Sequence, residues 1–144
     1  MSTLQPVMSA AELNAYISEV YPQIMDQFFG HQVMVVEPGH VVVRMETDES
    51  HLRAGGTVSG PTLFALADMG GYACVLSHIG REALAVTTNL NINFMRKAGP
   101  GPLNAHCKIL KLGKRLMVFE TSICVDGSSD VIAHATGTYA IPPR

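Results

Sequence analysis

The chain has 144 residues, 47% of them hydrophobic and 15% charged, with a formal net charge of −2. That length suits one domain with a substantial core, and that composition excludes a disordered chain. The near-neutral balance argues against a nucleic acid or an acidic membrane as partner.

The first ten residues lack the basic start and apolar run of a secretion signal. Cys74, Cys107 and Cys124 are odd in number and far apart, and they read as buried free thiols in a reducing cytoplasm. No metal-ligand spacing appears among the three cysteines and six histidines.

Ser9 followed by Glu12 fits a capping box. Apolar residues at helical spacing (Leu13, Tyr16, Ile17, Val20, Ile24, Phe28) predict an amphipathic helix over 11–29, bent near Pro22. Residues 31–37 and 40–47 flank the turn signal Pro38-Gly39 and predict a hairpin. A polar, glycine-bearing loop over 48–58 follows, in which His51 and Arg53 are candidate ligand contacts or simply solvated loop residues.

That loop feeds Ser59-Gly60-Pro61 and an apolar run to Ile79, interrupted only by Asp68 and Gly70-Gly71. Proline favours the first helical position, so Gly60 is expected as the N-cap, with Gly80 closing the far end. A helix apolar on every side is a buried core helix, and the acid and two glycines argue against a membrane span. A carboxylate in such a helix is costly unless paired, which makes Asp68 either a functional acid or one held by local donors. Pro61 has no N–H, so Gly60 offers the outward donor at the positive end of the helix.

The remainder predicts four strands. Over 83–95 strict alternation puts Val86, Thr88, Leu90, Ile92 and Phe94 on one face, and Thr87, Asn89, Asn91 and Asn93 on the other. A turn carrying Arg96 and Lys97 leads to strands over 103–112, 116–125 and 131–141, separated by Gly113-Lys114-Arg115 and by a loop over 126–130. Runs of strands outside a βαβ alternation imply an α+β fold: a curled antiparallel sheet around the buried helix, forming a single domain.

Gly60 and Asp68 lie eight residues apart, roughly 12 Å along a helix axis, too far for one copy to serve one reacting group. Two antiparallel copies can pair Gly60 of one chain with Asp68 of the other, which predicts a two-fold homodimer with shared sites. Gly70, Gly71 and Ala73 are expected to ease close packing at that seam.

The element order, with Gly56-Thr57-Val58-Ser59-Gly60-Pro61, Leu66-Ala67-Asp68, Asn91-Ile92-Asn93-Phe94-Met95-Arg96 and Leu112-Gly113-Lys114, resembles the PaaI-like acyl-CoA thioesterases of the hotdog fold. The family's helix start usually reads His-Gly-Gly, where this chain has Ser59-Gly60-Pro61. The resemblance implies Gly60 N–H as oxyanion donor, Asp68 as base or nucleophile, and Thr87 near the catalytic water. It places Ser59 at the lost histidine, to cap the helix or to bind substrate in its stead, and Arg53 at a frequent asparagine whose role does not carry over, leaving Arg53 and His51 as candidate substrate contacts. Arg96 and Lys97, with Lys114 and Arg115, are candidates for the CoA phosphates.

It further implies an acyl-CoA substrate, no separate cofactor, and a homodimer that pairs into a tetramer. Phe64, Met69, Tyr72 and Met95 are candidates for an apolar pocket. Two other readings share the fold: a non-catalytic acyl-CoA or lipid-binding module, and a dehydratase, which the absence of a central-helix histidine before His78 disfavours.

Overall fold

The computed structural model describes residues 4–23 and 30–143. Helix α1 (Ala10–Val20) leads to strands β1 (Gln32–Glu37) and β2 (His40–Glu46). A short 3-10 turn (Glu49–His51) and a two-residue ladder, β3 (Leu52–Arg53) with β4 (Thr57–Val58), fill the loop before helix α2 (Gly60–Ile79). Then come β5 (Val86–Phe94), β6 (Pro102–Leu112), β7 (Leu116–Val125) and β8 (Val131–Ala140). The main sheet is antiparallel, in the order β1-β2-β6-β7-β8-β5, and curls around α2 as the hotdog resemblance implies.

The capping box at α1 forms as expected, with Glu12 N–H donating to Ser9 Oγ at 3.1 Å and Ser9 N–H to Glu12 Oε1 at 3.0 Å. The helix breaks beside the expected bend, and helical geometry resumes at Pro22 and Gln23. Tyr21 leaves helical geometry at φ −144°, as the residue before a proline tends to do. Ile24 and Phe28 lie outside the described residues. Asn14 fastens α1 to the sheet by exchanging two hydrogen bonds with the Val33 backbone, at 2.8 and 2.9 Å.

Helix α2 is long and apolar enough by composition to cross a membrane, yet 78% of its apolar window is buried inside the domain. Its N-cap is Ser59, one residue earlier than expected, and Gly60 is the first helical residue. The reason is chemical: Ser59 Oγ accepts the Thr62 N–H, an oxygen that glycine cannot supply. At the other end His78 Nε2 accepts the Gly39 N–H at 2.9 Å, tying the helix to the β1–β2 turn.

Gly70 and Gly71 do not lie at a seam between copies. Gly70 faces Cys107 and Thr121 of the chain's own sheet, and a Cβ on Gly71 would overlap the Phe119 ring. The same ring abuts Gly137, where an added Cβ would sit 2.7 Å from Phe119 Cζ. Two glycines, one on the helix and one on β8, thus make room for one large core side chain.

Strand β5 also departs from strict alternation. A bulge between Thr87 and Asn89 inserts one residue, which moves Thr87 onto the inner face with Leu90 and Ile92. Asn89, Asn91 and Asn93 are exposed on this outermost strand. Gly137 permits the bulge, because a Cβ there would lie 2.8 Å from the Asn89 carbonyl oxygen. The three cysteines are buried and unpaired. The neighbouring Cys107 thiol, together with burial, holds Cys74 well above the ordinary thiol range, so it stays a protonated core thiol.

Candidate active site

Asp68 sits half-buried midway along α2, where one wall of a cleft of about 350 Å³ is formed by Met69, Tyr72, Ala83, Thr87 and Tyr139. Two hydroxyls from adjacent strands meet its Oδ1. Thr87 Oγ1 donates at 2.5 Å and Tyr139 OH at 2.9 Å. Tyr139 also lies 3.0 Å from the Asp68 carbonyl oxygen, so its single proton is shared between two acceptors. Among the described residues no donor reaches Oδ2. Burial first, and then the charge of Asp68, hold the Tyr139 phenol well above its ordinary range, so it remains a donor throughout the working range. Tyr72 closes the cleft floor and donates to the Ala83 carbonyl at 3.0 Å.

Gly60 faces different surroundings. Its N–H donates to none of the described residues, as expected for the first turn of a helix. A nearly wholly apolar groove of about 430 Å³ lies against it, lined by Pro61, Phe64, Ile92 and Phe94. A second depression of about 210 Å³ joins Gly60 to Arg53, Arg96 and Lys97, with no carboxylate among the described residues of its lining. Among the described residues, the cleft at Asp68 and the two depressions at Gly60 share none.

The structure therefore brings Asp68 together with Thr87, and Gly60 together with Arg53, Arg96 and Lys97. Ser59 stays beside Gly60, with its hydroxyl engaged by the Thr62 N–H and the Thr62 hydroxyl. His51 joins the Gly60 group through its backbone, where its carbonyl accepts the Ser59 N–H at 2.9 Å, but among the described residues it lines neither depression. It is 8% exposed, and its Nδ1 accepts the Asp48 N–H at 2.9 Å, which builds it into the framework of the loop. Lys114 and Arg115 flank Pro142 and Pro143, at the end of the sheet where Val86 and Ala140 pair. Met69 and Tyr72 line the Asp68 cleft, whereas Phe64 belongs to the apolar groove and Met95 is exposed.

Sequence reasoning missed Tyr139. Its signal was faint: a tyrosine on an otherwise small-residue inward face of β8, in cross-strand register with Thr87. Finding it required the pairing of β5 with β8, because 71 positions separate it from Asp68.

A curled antiparallel sheet around one buried helix, with a hydroxyl-held acid at mid-helix, defines the hotdog fold. A sequence model of the Thioesterase superfamily matches residues 55–132, which span both Gly60 and Asp68, and the chain belongs to that superfamily. The crystal structure of a provisionally assigned thioesterase from Silicibacter sp. TM1040 is 44% identical, covers 97% of this chain and 96% of its own, and superposes with a TM-score of 0.87.

The phenylacetic acid degradation protein PaaI of Thermus thermophilus, in a mutant form, shares the fold at 24% identity. It superposes with a TM-score of 0.71 over 84% of this chain and 99% of its own. A provisionally assigned esterase of Pseudomonas aeruginosa is 36% identical over 71% of this chain and 75% of its own. Acyl thioester hydrolysis is thus the class of chemistry to which the chain belongs.

Proposed function

We propose that the protein hydrolyses acyl-CoA thioesters to free acid and CoA, at two sites that each combine Gly60 of one protomer with Asp68 of its partner. The observation that carries this reading is the Asp68 cleft: a carboxylate with Oδ1 held by two hydroxyls and Oδ2 without a donor among the described residues. Such an acid can take a proton from water or attack an acyl carbon directly.

In the general-base route, Asp68 accepts a proton as water adds to the thioester carbonyl. The oxyanion that forms receives the Gly60 N–H, strengthened by the helix dipole. Collapse of the tetrahedral adduct expels the CoA thiolate and leaves the carboxylic acid. In the nucleophilic route, Asp68 forms a mixed anhydride with loss of thiolate, and water then cleaves it. Thr87 serves Asp68 directly in both, since its hydroxyl goes to Oδ1. No cofactor is needed beyond the CoA carried by the substrate.

Two features support the shared site. The roughly 12 Å between Gly60 and Asp68 along the helix exceeds the reach of one reacting centre. The outermost strand β5 and the start of α2 expose Phe64 (42%) and Phe94 (54%), an apolar face that a second copy would cover. In an antiparallel pair, Arg53, Arg96 and Lys97 enter the site with Gly60, while Lys114 and Arg115 approach from the Asp68 chain. The CoA phosphates fit such cations, and the protein fits a cytoplasmic setting, as a dimer that pairs into a tetramer.

Thiol release from short, long and aromatic acyl-CoAs, by wild type and Asp68→Asn in parallel, tests the reading. Release by wild type and not by the variant is expected. Binding of acyl-CoA without release by either would instead identify a binding module on this fold.

A further inference from the structure

We propose that Tyr139 is the positioning residue of this site: with Thr87 it engages Asp68 Oδ1 and leaves Oδ2 as the oxygen that meets water or the thioester. The inference rests on the thioesterase reading of Asp68 given above. It starts from register. Thr87 and Tyr139 are directly paired across β5 and β8, and the bulge after Thr87 turns its side chain inward. Two hydroxyls on opposed residues therefore converge on one oxygen, at 2.5 and 2.9 Å.

Tyr139 is fixed from behind as well. It is 3% exposed, and its ring lies 5.8 Å from the Phe119 ring and 6.1 Å from the Tyr72 ring. An aromatic ring so enclosed holds its hydroxyl with little rotamer freedom, which is the requirement for holding another side chain in register.

The second acceptor gives Tyr139 a further property. Its proton can lie toward Oδ1 at 2.9 Å or toward the Asp68 carbonyl at 3.0 Å. While Asp68 is ionised, the carboxylate oxygen is the stronger acceptor. Once Asp68 has taken a proton or an acyl group, the carbonyl retains the phenol proton, and no buried donor is orphaned. Tyr139 thus follows the charge of Asp68 through the cycle without moving its ring.

Among the described residues, the remaining titratable groups facing the cleft are the phenols of Tyr21 and Tyr72, with no further carboxylate, imidazole or cation in its lining. Loss of the Tyr139 hydroxyl removes a donor to the charged form of Asp68 and therefore favours the protonated acid.

The test uses full-length wild type and Tyr139→Phe carrying carboxyl-carbon-13 aspartate, with the Asp68 signal assigned through Asp68→Asn. Tyr139→Phe should raise the midpoint of the Asp68 titration by about one pH unit. The acid limb of kcat/KM should move up by the same amount, with kcat at the plateau about tenfold lower and KM within about twofold. A purely structural role would lower the melting temperature and leave both midpoints in place, and that result overturns the proposal.

Should Tyr139→Phe not fold, 3-fluorotyrosine at position 139 keeps the ring and strengthens the donor. The midpoint must then move down, and an unmoved or raised midpoint overturns the proposal. Wild type that hydrolyses no acyl-CoA would refute the thioesterase reading alone, because the carbon-13 titration reads the Tyr139 contact without turnover.

Discussion

At its middle α2 is enclosed, with Asp68 set between two hydroxyls and an aromatic wall. At its start the same helix is open, with a Gly60 N–H that meets none of the described residues, exposed Phe64 and Phe94 rings nearby, and three cations around a shallow depression. One region is finished within a single chain and the other is not. The finished region fixes a carboxylate, which needs close placement to act on a proton. The open region offers what substrate and a second chain can complete: a donor for an oxyanion, an apolar face and a phosphate-compatible rim. On the shared-site reading proposed above, a helix too long to be one site becomes half of two.

The largest expected effect falls on the enclosed region. Asp68→Asn should lower kcat by about 100- to 10,000-fold and leave the melting temperature within a few degrees, measured by thiol release and calorimetry. Near-normal turnover would remove Asp68 from the chemistry.

The comparison itself is broken or kept by complementation. Gly60→Pro takes away the one donor at a helical position that proline tolerates, and should cost about 100-fold in kcat. Mixed and allowed to exchange subunits, the two inactive variants should regain about a quarter of wild-type activity, since half the dimers then hold one intact site. A mixture that stays inactive while heterodimers are detected would place Gly60 and Asp68 in separate roles.

A smaller effect concerns the scaffold behind the acid. Gly71→Ala should destabilise by about 1–3 kcal/mol, because the added methyl overlaps the Phe119 ring. Denaturant titration measures it, and an unchanged midpoint would show that Phe119 relocates freely. Smallest is the rim. Arg96→Glu with Lys97→Glu should raise KM for acyl-CoA several-fold at low salt with kcat unchanged, an effect that fades as salt screens the charges.

Much of this architecture was legible before any coordinates. The capping box, the hairpin turn at Gly39 and the strands β6 to β8 follow from local chemistry and alternation, and the apolar run from Thr62 to Ile79 announced its own burial. Asp68 and Gly60 stood out because each was unusual where it stood.

What was not legible depended on contacts between distant segments. The bulge in β5 leaves no mark in the alternation of side chains, so Thr87 read as a neighbour of the asparagines when it belongs with Asp68. Tyr139 read as one more inward strand residue until register paired it with Thr87. Gly71 read as a packing glycine, correctly, but against Phe119 of its own sheet and not against a second chain. The N-cap differed by one residue because serine and glycine compete there on side-chain chemistry, which proline placement alone does not reveal.

The seat of Phe119 between Gly71 and Gly137 bears on how this protein can change over generations. A side chain at either glycine overlaps the ring while it is there, and a smaller residue at 119 would loosen the wall behind Tyr139. Positions 71 and 119 are therefore bound to drift together: a lineage that shrinks residue 119 gains freedom at 71, whereas Gly137 stays held by the Asn89 carbonyl oxygen at the bulge. Directed evolution toward bulkier acyl groups would meet the same linkage. Libraries that vary residues 71 and 119 jointly should yield folded variants that stepwise substitution never reaches.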